Sequence, residues 1–268
     1  MSRILLIVAI GIILIVLTTS FLEKDNSQQT STHPYRSFES SKNVAIMKYV
    51  NVFDQFSNGI NLHLWEVLNR EENYNNELQY YVSENVVVNG GELHLTGKRE
   101  VRGSKHYTSG LVYTNNDFPI LYGHIKVRAK FPTGKGLFPA IWLAPISIDD
   151  YLPEIDIMEV IGDFPNTIYF VHHYRNDDGN IQSVFETTNI IRYEEFQTYE
   201  LIWTKDKLEW LVNGITTFKT EENIPNVPMK LIMNLAIGGD WPGPPSSSTI
   251  FPAVFQIDSV EILHERDR

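Results

Sequence analysis

The sequence contains no cysteine and comparatively few basic residues. Without a thiol there is no disulfide framework, no thiolate metal site, no cysteine nucleophile and no lipidated cysteine. Lys and Arg number 22 against 33 Asp and Glu, which gives a formal net charge of −11. This charge argues against a nucleic-acid partner, because phosphates would be repelled. A neutral polymer is easier to reconcile with it as a ligand.

A helical pattern is also missing. No stretch of about 12 residues or more combines a helical period with caps, and no glycine-rich phosphate loop follows a strand. Short strands alternate with turn residues instead, and hairpins are clearest around Asn89-Gly90-Gly91 and Asn213-Gly214. Alternation also predicts strands over 123–130, 229–237 and 253–263. We therefore predict an all-β sandwich of antiparallel sheets with loops at both ends.

The only long apolar run lies at the N-terminus. Arg3 precedes an uncharged run over 4–17, and residues 1–22 are interpreted as either a signal peptide or an N-terminal membrane anchor. Residues 23–48 are rich in polar side chains, which predicts a flexible linker. The folded domain is expected over 49–268, as a monomer outside the cytoplasm, either secreted or anchored at the cell surface. Membrane contact is expected only through an uncleaved N-terminal segment.

One short acidic stretch, residues 154–159, organises the interpretation of the chain. Glu154 and Asp156 alternate with apolar residues, which predicts one polar face of a half-buried strand. Met158 breaks the alternation, so a regular strand would bury the carboxylate of Glu159 at a high free-energy cost. A β-bulge would return Glu159 to the face of the other two acids.

Three carboxylates this close should repel one another, and at least one pKa should rise. A hydrolase that uses a pair of carboxylates needs this, with one group protonated and one ionised. The alternative at this point is a solvated acidic strand face without catalytic function.

Two segments rich in aromatic, proline and glycine residues flank the acidic stretch in sequence. Trp142 ends the segment 138–142, and Trp241 lies within 238–244. Indole rings in such loops suit the flat, apolar faces of sugar rings. Either Trp alone would more often be a packing residue, but the pair favours a sugar-binding site.

An ordered set of motifs resembles glycoside hydrolase family 16, most closely its laminarinase-like endo-β-1,3-glucanases. The motifs are Asn-Glu-Leu-Gln-Tyr-Tyr at 76–81, Tyr-Gly at 122–123, Arg-Ala-Lys at 128–130, 134–142, 154–159, 234–243, Phe-Pro at 251–252 and Ile-Asp-Ser-Val at 257–260. The resemblance implies a β-jelly roll whose concave sheet forms a polysaccharide cleft. It also implies hydrolysis with retention, with Glu154 as nucleophile, Glu159 as acid/base and Asp156 between them.

The resemblance also implies substrate contacts. Trp142 and Trp241 would stack on glucose rings, and His173, or His172 after a one-residue slip, would be the cleft histidine. The residues expected to hydrogen-bond the sugars are Asn76, Glu77 and Arg128, and Asn234 is expected to be a further substrate-binding residue.

No cofactor is expected for catalysis, although the resemblance implies a possible structural Ca²⁺ at Gln55, Gly91 and Asp258. Gln55 replaces the acid that is usual there, so one negative charge is missing.

Three functions remain open. The first is a retaining endo-β-1,3-glucanase that acts on laminarin-like or mixed-linkage glucan. The second is a galactan hydrolase or transglycosylase of the same family, and the third is a non-catalytic β-glucan-binding protein.

Overall fold

The computed structural model describes residues 50–146 and 151–264. Within these ranges no helix is long and apolar enough to cross a membrane. The predicted leader and linker, residues 1–48, lie outside the described residues and remain predictions.

The described residues form β-strands and one short 3₁₀ helix at Ser83–Asn85. The strands are β1 (Val52–Asp54), β2 (Trp65–Val67), β3 (Gln79–Tyr81), β4 (Val86–Asn89), β5 (Glu92–Gly97), β6 (Tyr107–Ser109), β7 (Leu111–Thr114), β8 (Gly123–Lys130), β9 (Leu137–Pro145), β10 (Glu154–Glu159), β11 (Thr167–Arg175), β12 (Ile181–Asn189), β13 (Gln197–Trp203), β14 (Leu208–Val212), β15 (Ile215–Thr220), β16 (Met229–Ile237) and β17 (Ala253–Leu263).

Two large antiparallel sheets contain nearly all of these strands. Sheet A has the order β15-β14-β13-β8-β17-β5-β4, and β1 also pairs with β17. Sheet B has the order β12-β11-β10-β9-β16-β7-β2, so the acidic strand β10 lies between β11 and β9. The predicted two-sheet, all-β fold is confirmed. A small parallel pair, β3 and β6, completes the described strands.

The local predictions of strands and hairpins are confirmed where alternation and turn residues were strongest. Strands β8, β16 and β17 have the predicted bounds. In the β14–β15 hairpin Asn213 has φ 52° and Gly214 has φ 76°, the left-handed backbone that a two-residue hairpin turn requires.

The core lies between the two sheets, which contribute alternate side chains. Along β8 of sheet A, Ile125, Val127 and Ala129 are buried. From sheet B, Ile155 and Ile157 of the acidic strand point into the same core. This common core fixes the outward face of β10, because each side chain that points inward determines the direction of its neighbours.

Candidate active site

The acidic strand contains the predicted β-bulge. Asp156 pairs with Val171 of β11, and Glu159 pairs with Tyr169, so three residue steps on β10 oppose two on β11. The pairing with β9 shifts between Asp156 and Met158. Met158 is fully buried with the apolar residues of the strand, and Glu159 returns to the side of Glu154 and Asp156. We call this outward side of sheet B the acidic face.

Burial and mutual repulsion raise the pKa values of all three acids. Asp156 is only 2% exposed, and burial, together with the charges of Glu159 and Glu154, raises its pKa well above the usual range. Burial raises the pKa of Glu154 to about 7. Burial and the charge of Glu154 raise the pKa of Glu159 to about 8. Glu154 and Glu159 therefore exchange protons near neutral pH, as a catalytic carboxyl pair must.

A histidine lies directly beside two of the acids. His173 pairs with Glu154 in the strand register, which places it, and not His172, on the acidic face. Its Nε2 lies 3.4 Å from Asp156 Oδ2 and 3.9 Å from Glu154 Oε1. Its Nδ1 lies 2.6 Å from Ser183 Oγ on β12. Burial lowers the pKa of His173 to about 4, so the ring is neutral at pH 7.

His172 points to the opposite side of β11 and is fully buried. Burial lowers its pKa to about 4, which keeps it uncharged at neutral pH. Ligand atoms of Glu154, Asp156 and His173 lie within 4.8 Å of one another, a spacing that could hold a metal ion. Of these three residues, Glu154 also forms the carboxyl pair with Glu159.

Trp142 lies on β9, opposite Asp156 in the strand register. Its indole Nε1 donates to Asn234 Oδ1 at 2.8 Å, and Asn234 Nδ2 donates to the hydroxyl of Tyr81 at 3.1 Å. Asn234 is thus engaged inside the protein and orients the indole ring. The Trp142 side chain is only half-buried, so its exposed part can stack on an apolar ligand surface.

Trp241 lies beside Glu159 in an aromatic cluster. Its ring centroid is 4.8 Å from that of Tyr169 and 5.3 Å from that of Phe138, both in edge-on geometry. Tyr169 pairs with Glu159 in the strand register. The acidic face therefore has an indole ring on the β9 side of Asp156 and another near Glu159.

Asn76 and Glu77 each make a side-chain hydrogen bond within the protein, and that of Asn76 reaches the Trp241 loop. Asn76 Nδ2 donates to Asp240 Oδ1 at 2.9 Å. Gly238, with φ 71°, brings the loop so close to Leu78 that an added Cβ would lie 2.5 Å from its side chain. Glu77 accepts a hydrogen bond from Gln79 Nε2, and burial raises the pKa of Glu77 to about 7.

The expectation that Arg128 binds sugar is wrong for this fold. Arg128 lies on β8, in sheet A, and the buried residues of that strand send it to the outer surface across the core from β10. There its guanidinium bonds Asp258 at 3.1 Å and lies over the ring of Phe196 at 4.8 Å.

The residues nominated for calcium fit that ion poorly. Gln55 follows β1 and Gly91 precedes β5, and both strands pair with β17, which carries Asp258. Calcium prefers several oxygen ligands with carboxylates among them. Asp258 is the only carboxylate of the three, and Arg128 already neutralises it.

Sequence reasoning missed Tyr169, Tyr81 and Ser183. Tyr169 and His173 share one face of β11 because they are an even number of residues apart, so pairing with β10 would have identified Tyr169. Ser183 lies directly opposite His173 in the pairing of β11 with β12, so that register would have identified it. Tyr81 has no such local signal, since its partner Asn234 comes from a distant segment.

We predict that Glu159→Gln stabilises the protein at alkaline pH. The pKa of Glu159 is about 8 in the folded state and has an ordinary value of 4.5. The folded state therefore binds more protons than the unfolded state between these values, and stability falls as pH rises through them. The melting temperature of the variant should exceed that of the wild type at pH 8, and the difference should vanish below about pH 4.5. Glu221→Gln, at an exposed position, is the control. If the variant's melting temperature were higher by the same amount at every pH, the raised pKa of Glu159 would not be the cause.

We also predict that neither calcium nor a chelator changes the melting temperature. The reason is that Asp258, the only carboxylate of the three residues, already pairs with the guanidinium of Arg128. Differential scanning fluorimetry with millimolar CaCl₂ or EDTA tests this. A calcium-dependent rise that Asp258→Asn abolishes would show that the site binds the metal.

Comparisons with known proteins agree with this geometry. The sequence model of the glycosyl hydrolases family 16 matches residues 72–251. The chain is 30% identical over 227 residues to glucan endo-1,3-beta-glucosidase A1 of Niallia circulans, covering 72% of this chain and 33% of that protein. It is 30% identical over 218 residues to a beta-glucanase of Rhodothermus marinus, covering 70% of this chain and 74% of that protein.

The fold comparison points the same way. The X-ray structure of the laminarinase from Rhodothermus marinus superposes with a TM-score of 0.74 at 26% identity, covering 82% of this chain and 98% of that one. With this likeness the sandwich is the predicted jelly roll. The chain spans only about a third of the Niallia protein's length. The family match covers well over half of the sequence, and the chain therefore belongs to family 16 of the glycosyl hydrolases.

Proposed function

We propose that this protein is a retaining endo-β-1,3-glucanase that hydrolyses laminarin-like glucan and accepts mixed-linkage glucan. The observation that carries the proposal is the bulged strand, which places Glu154, Asp156 and Glu159 on one outward face. Two relatives, a glucan endo-1,3-beta-glucosidase and a beta-glucanase, supply the substrate class.

In the first step Glu154 attacks the anomeric carbon while Glu159 protonates the leaving glycosidic oxygen. The bond to the leaving sugar breaks as a glycosyl ester forms on Glu154. The pKa values suit these roles, because Glu154, at about 7, ionises before Glu159, at about 8. In the second step Glu159, now ionised, takes a proton from a water molecule that attacks the ester, and the anomeric configuration is retained.

Asp156 and His173 assist the nucleophile. The raised pKa of Asp156 keeps it protonated near neutral pH, so it can donate a hydrogen bond to an ionised Glu154 without adding a second negative charge. His173 stays neutral and lies within 3.9 Å of both acids. It orders their side chains without neutralising the negative charge that the nucleophile needs.

The aromatic rings bind the sugar chain. Trp142 is fixed in orientation by Asn234, and Trp241 is fixed by Tyr169 and Phe138. Rings held in this way lose little side-chain entropy when a glucose face stacks on them. Trp142 lies beside Asp156 and Trp241 near Glu159, so a polymer can stack on more than one ring along the acidic face, which supports internal cleavage.

We predict a bell-shaped pH dependence of kcat/KM with its maximum between about pH 7 and 8. The acidic limb follows protonation of the Glu154 carboxylate, and the alkaline limb follows ionisation of the Glu159 carboxyl. Because the two carboxyl groups interact, the midpoints of the two limbs are apparent pKa values of the pair and not of either residue alone. Initial rates on soluble laminarin in a constant-ionic-strength buffer series measure the profile. An optimum near pH 4 would contradict the proposed protonation states.

We predict that Glu154→Gln and Glu159→Gln each lower kcat on laminarin by at least about a thousandfold, since each removes one partner of the carboxyl pair. Wild-type protein should release an oligosaccharide ladder whose new reducing ends are first β-anomers, as seen by ¹H NMR. Glu221→Gln is the activity control. If the protein cleaved only agarose or κ-carrageenan, its substrate would be a galactan. If it bound these polysaccharides without cleaving any of them, the catalytic role of the carboxyl pair would be refuted.

A further inference from the structure

The bulge in β10 receives a hydrogen bond from the opposite sheet. Trp210, on β14 of sheet A, is fully buried. Its indole Nε1 donates to the backbone carbonyl of Asp156 at 2.8 Å across the core. Asp156 is the last residue of β10 in regular register before the pairing shifts with both neighbouring strands. The indole therefore holds the peptide at which the bulge begins.

Trp210 is itself held firmly. Its ring stacks on Phe218 with 4.8 Å between centroids and an angle of 27°. Its own backbone carbonyl accepts a hydrogen bond from Thr217 Oγ1 at 3.1 Å. The pairing of β14 with β15 shifts between Trp210 and Leu211, so an irregular position in sheet A meets the irregular position in sheet B.

We propose that Trp210 is a positioning residue for catalysis: its indole N–H fixes the bulge and thereby the separation of Glu154 and Glu159. The inference rests on the proposed function for its kinetic consequences, while the geometric consequence stands independently. A buried carbonyl that loses its donor is costly, and the chain relieves that cost by rotating or shifting the peptide. Glu154 and Glu159 lie on either side of that peptide, so the shift changes their spacing.

The chain supplies a matched control. Trp203, on the neighbouring strand β13, is also fully buried, and its indole Nε1 donates to the carbonyl of Pro225 at 3.1 Å. Trp210→Phe and Trp203→Phe each remove one buried indole N–H and keep an aromatic ring. Only Trp210→Phe removes a hydrogen bond that is accepted by the acidic strand.

We expect both variants to lose melting temperature to a similar extent. Trp210→Phe should lower kcat on laminarin on the order of ten- to a hundredfold, because a displacement of about 1 Å at a reacting group has an effect of this size. Its KM should stay within about twofold of the wild type, since the aromatic binding rings are untouched. The limbs of its pH profile should move, because the interaction between the two carboxyls depends on their distance. Trp203→Phe should leave kcat and the pH profile as in the wild type.

A second readout does not need substrate. The side-chain carboxyl carbons of Glu154 and Glu159 are titrated by ¹³C NMR in wild type and both variants. We expect shifted titration midpoints in Trp210→Phe alone. If the wild type cleaves no glucan, the proposed function fails, and this titration still decides whether Trp210 sets the carboxyl geometry. Identical titrations and an equal loss of kcat in the two variants would overturn the inference. If Trp210→Phe fails to fold, benzothienylalanine at position 210 keeps the ring shape without the N–H, and the same outcomes apply.

Discussion

The site depends on one extra residue in a short strand. Without the bulge, Glu159 would point into the core, and an unpaired carboxylate there would be too costly for the fold to tolerate. With it, Met158 is buried and Glu159 shares a face with the other two acids. The core between the sheets enforces this choice, because the apolar residues of β10 have no other place to be buried. Packing and chemistry are thus fixed by the same local irregularity.

Much of the fold could be predicted from the sequence because its signals are local. The alternation in β8, β16 and β17 spans a few residues, and the Asn213-Gly214 turn needs only two. The bulge was predictable for a similar reason, since the cost of burying a carboxylate is independent of the remainder of the chain. The choice of His173 over His172 required only the register of the adjoining strand.

What the sequence did not reveal are long-range relations. The alternation of β8 predicts a strand with Arg128 on its polar face, but it does not say which sheet that strand joins. Asn76 and Asn234 were predicted to bind sugar, yet each amide is engaged by a partner more than 150 positions away in the chain. The carboxylate of Asp258 likewise has a partner, Arg128, on a distant strand. A residue type states which bonds a side chain can form, but only the topology decides which it does form.

Ser183 places part of the candidate active site on an edge strand of sheet B. Its hydroxyl contacts His173, and β12 is an edge strand, with a neighbour in its sheet on one side only. Edge strands exchange their backbone amides and open locally at lower free energy than central strands do. When β12 frays, the imidazole loses the contact that orients it, although β10 and the core remain intact. Thermal inactivation of this protein would then begin as a local event at the sheet edge, before the sandwich itself melts.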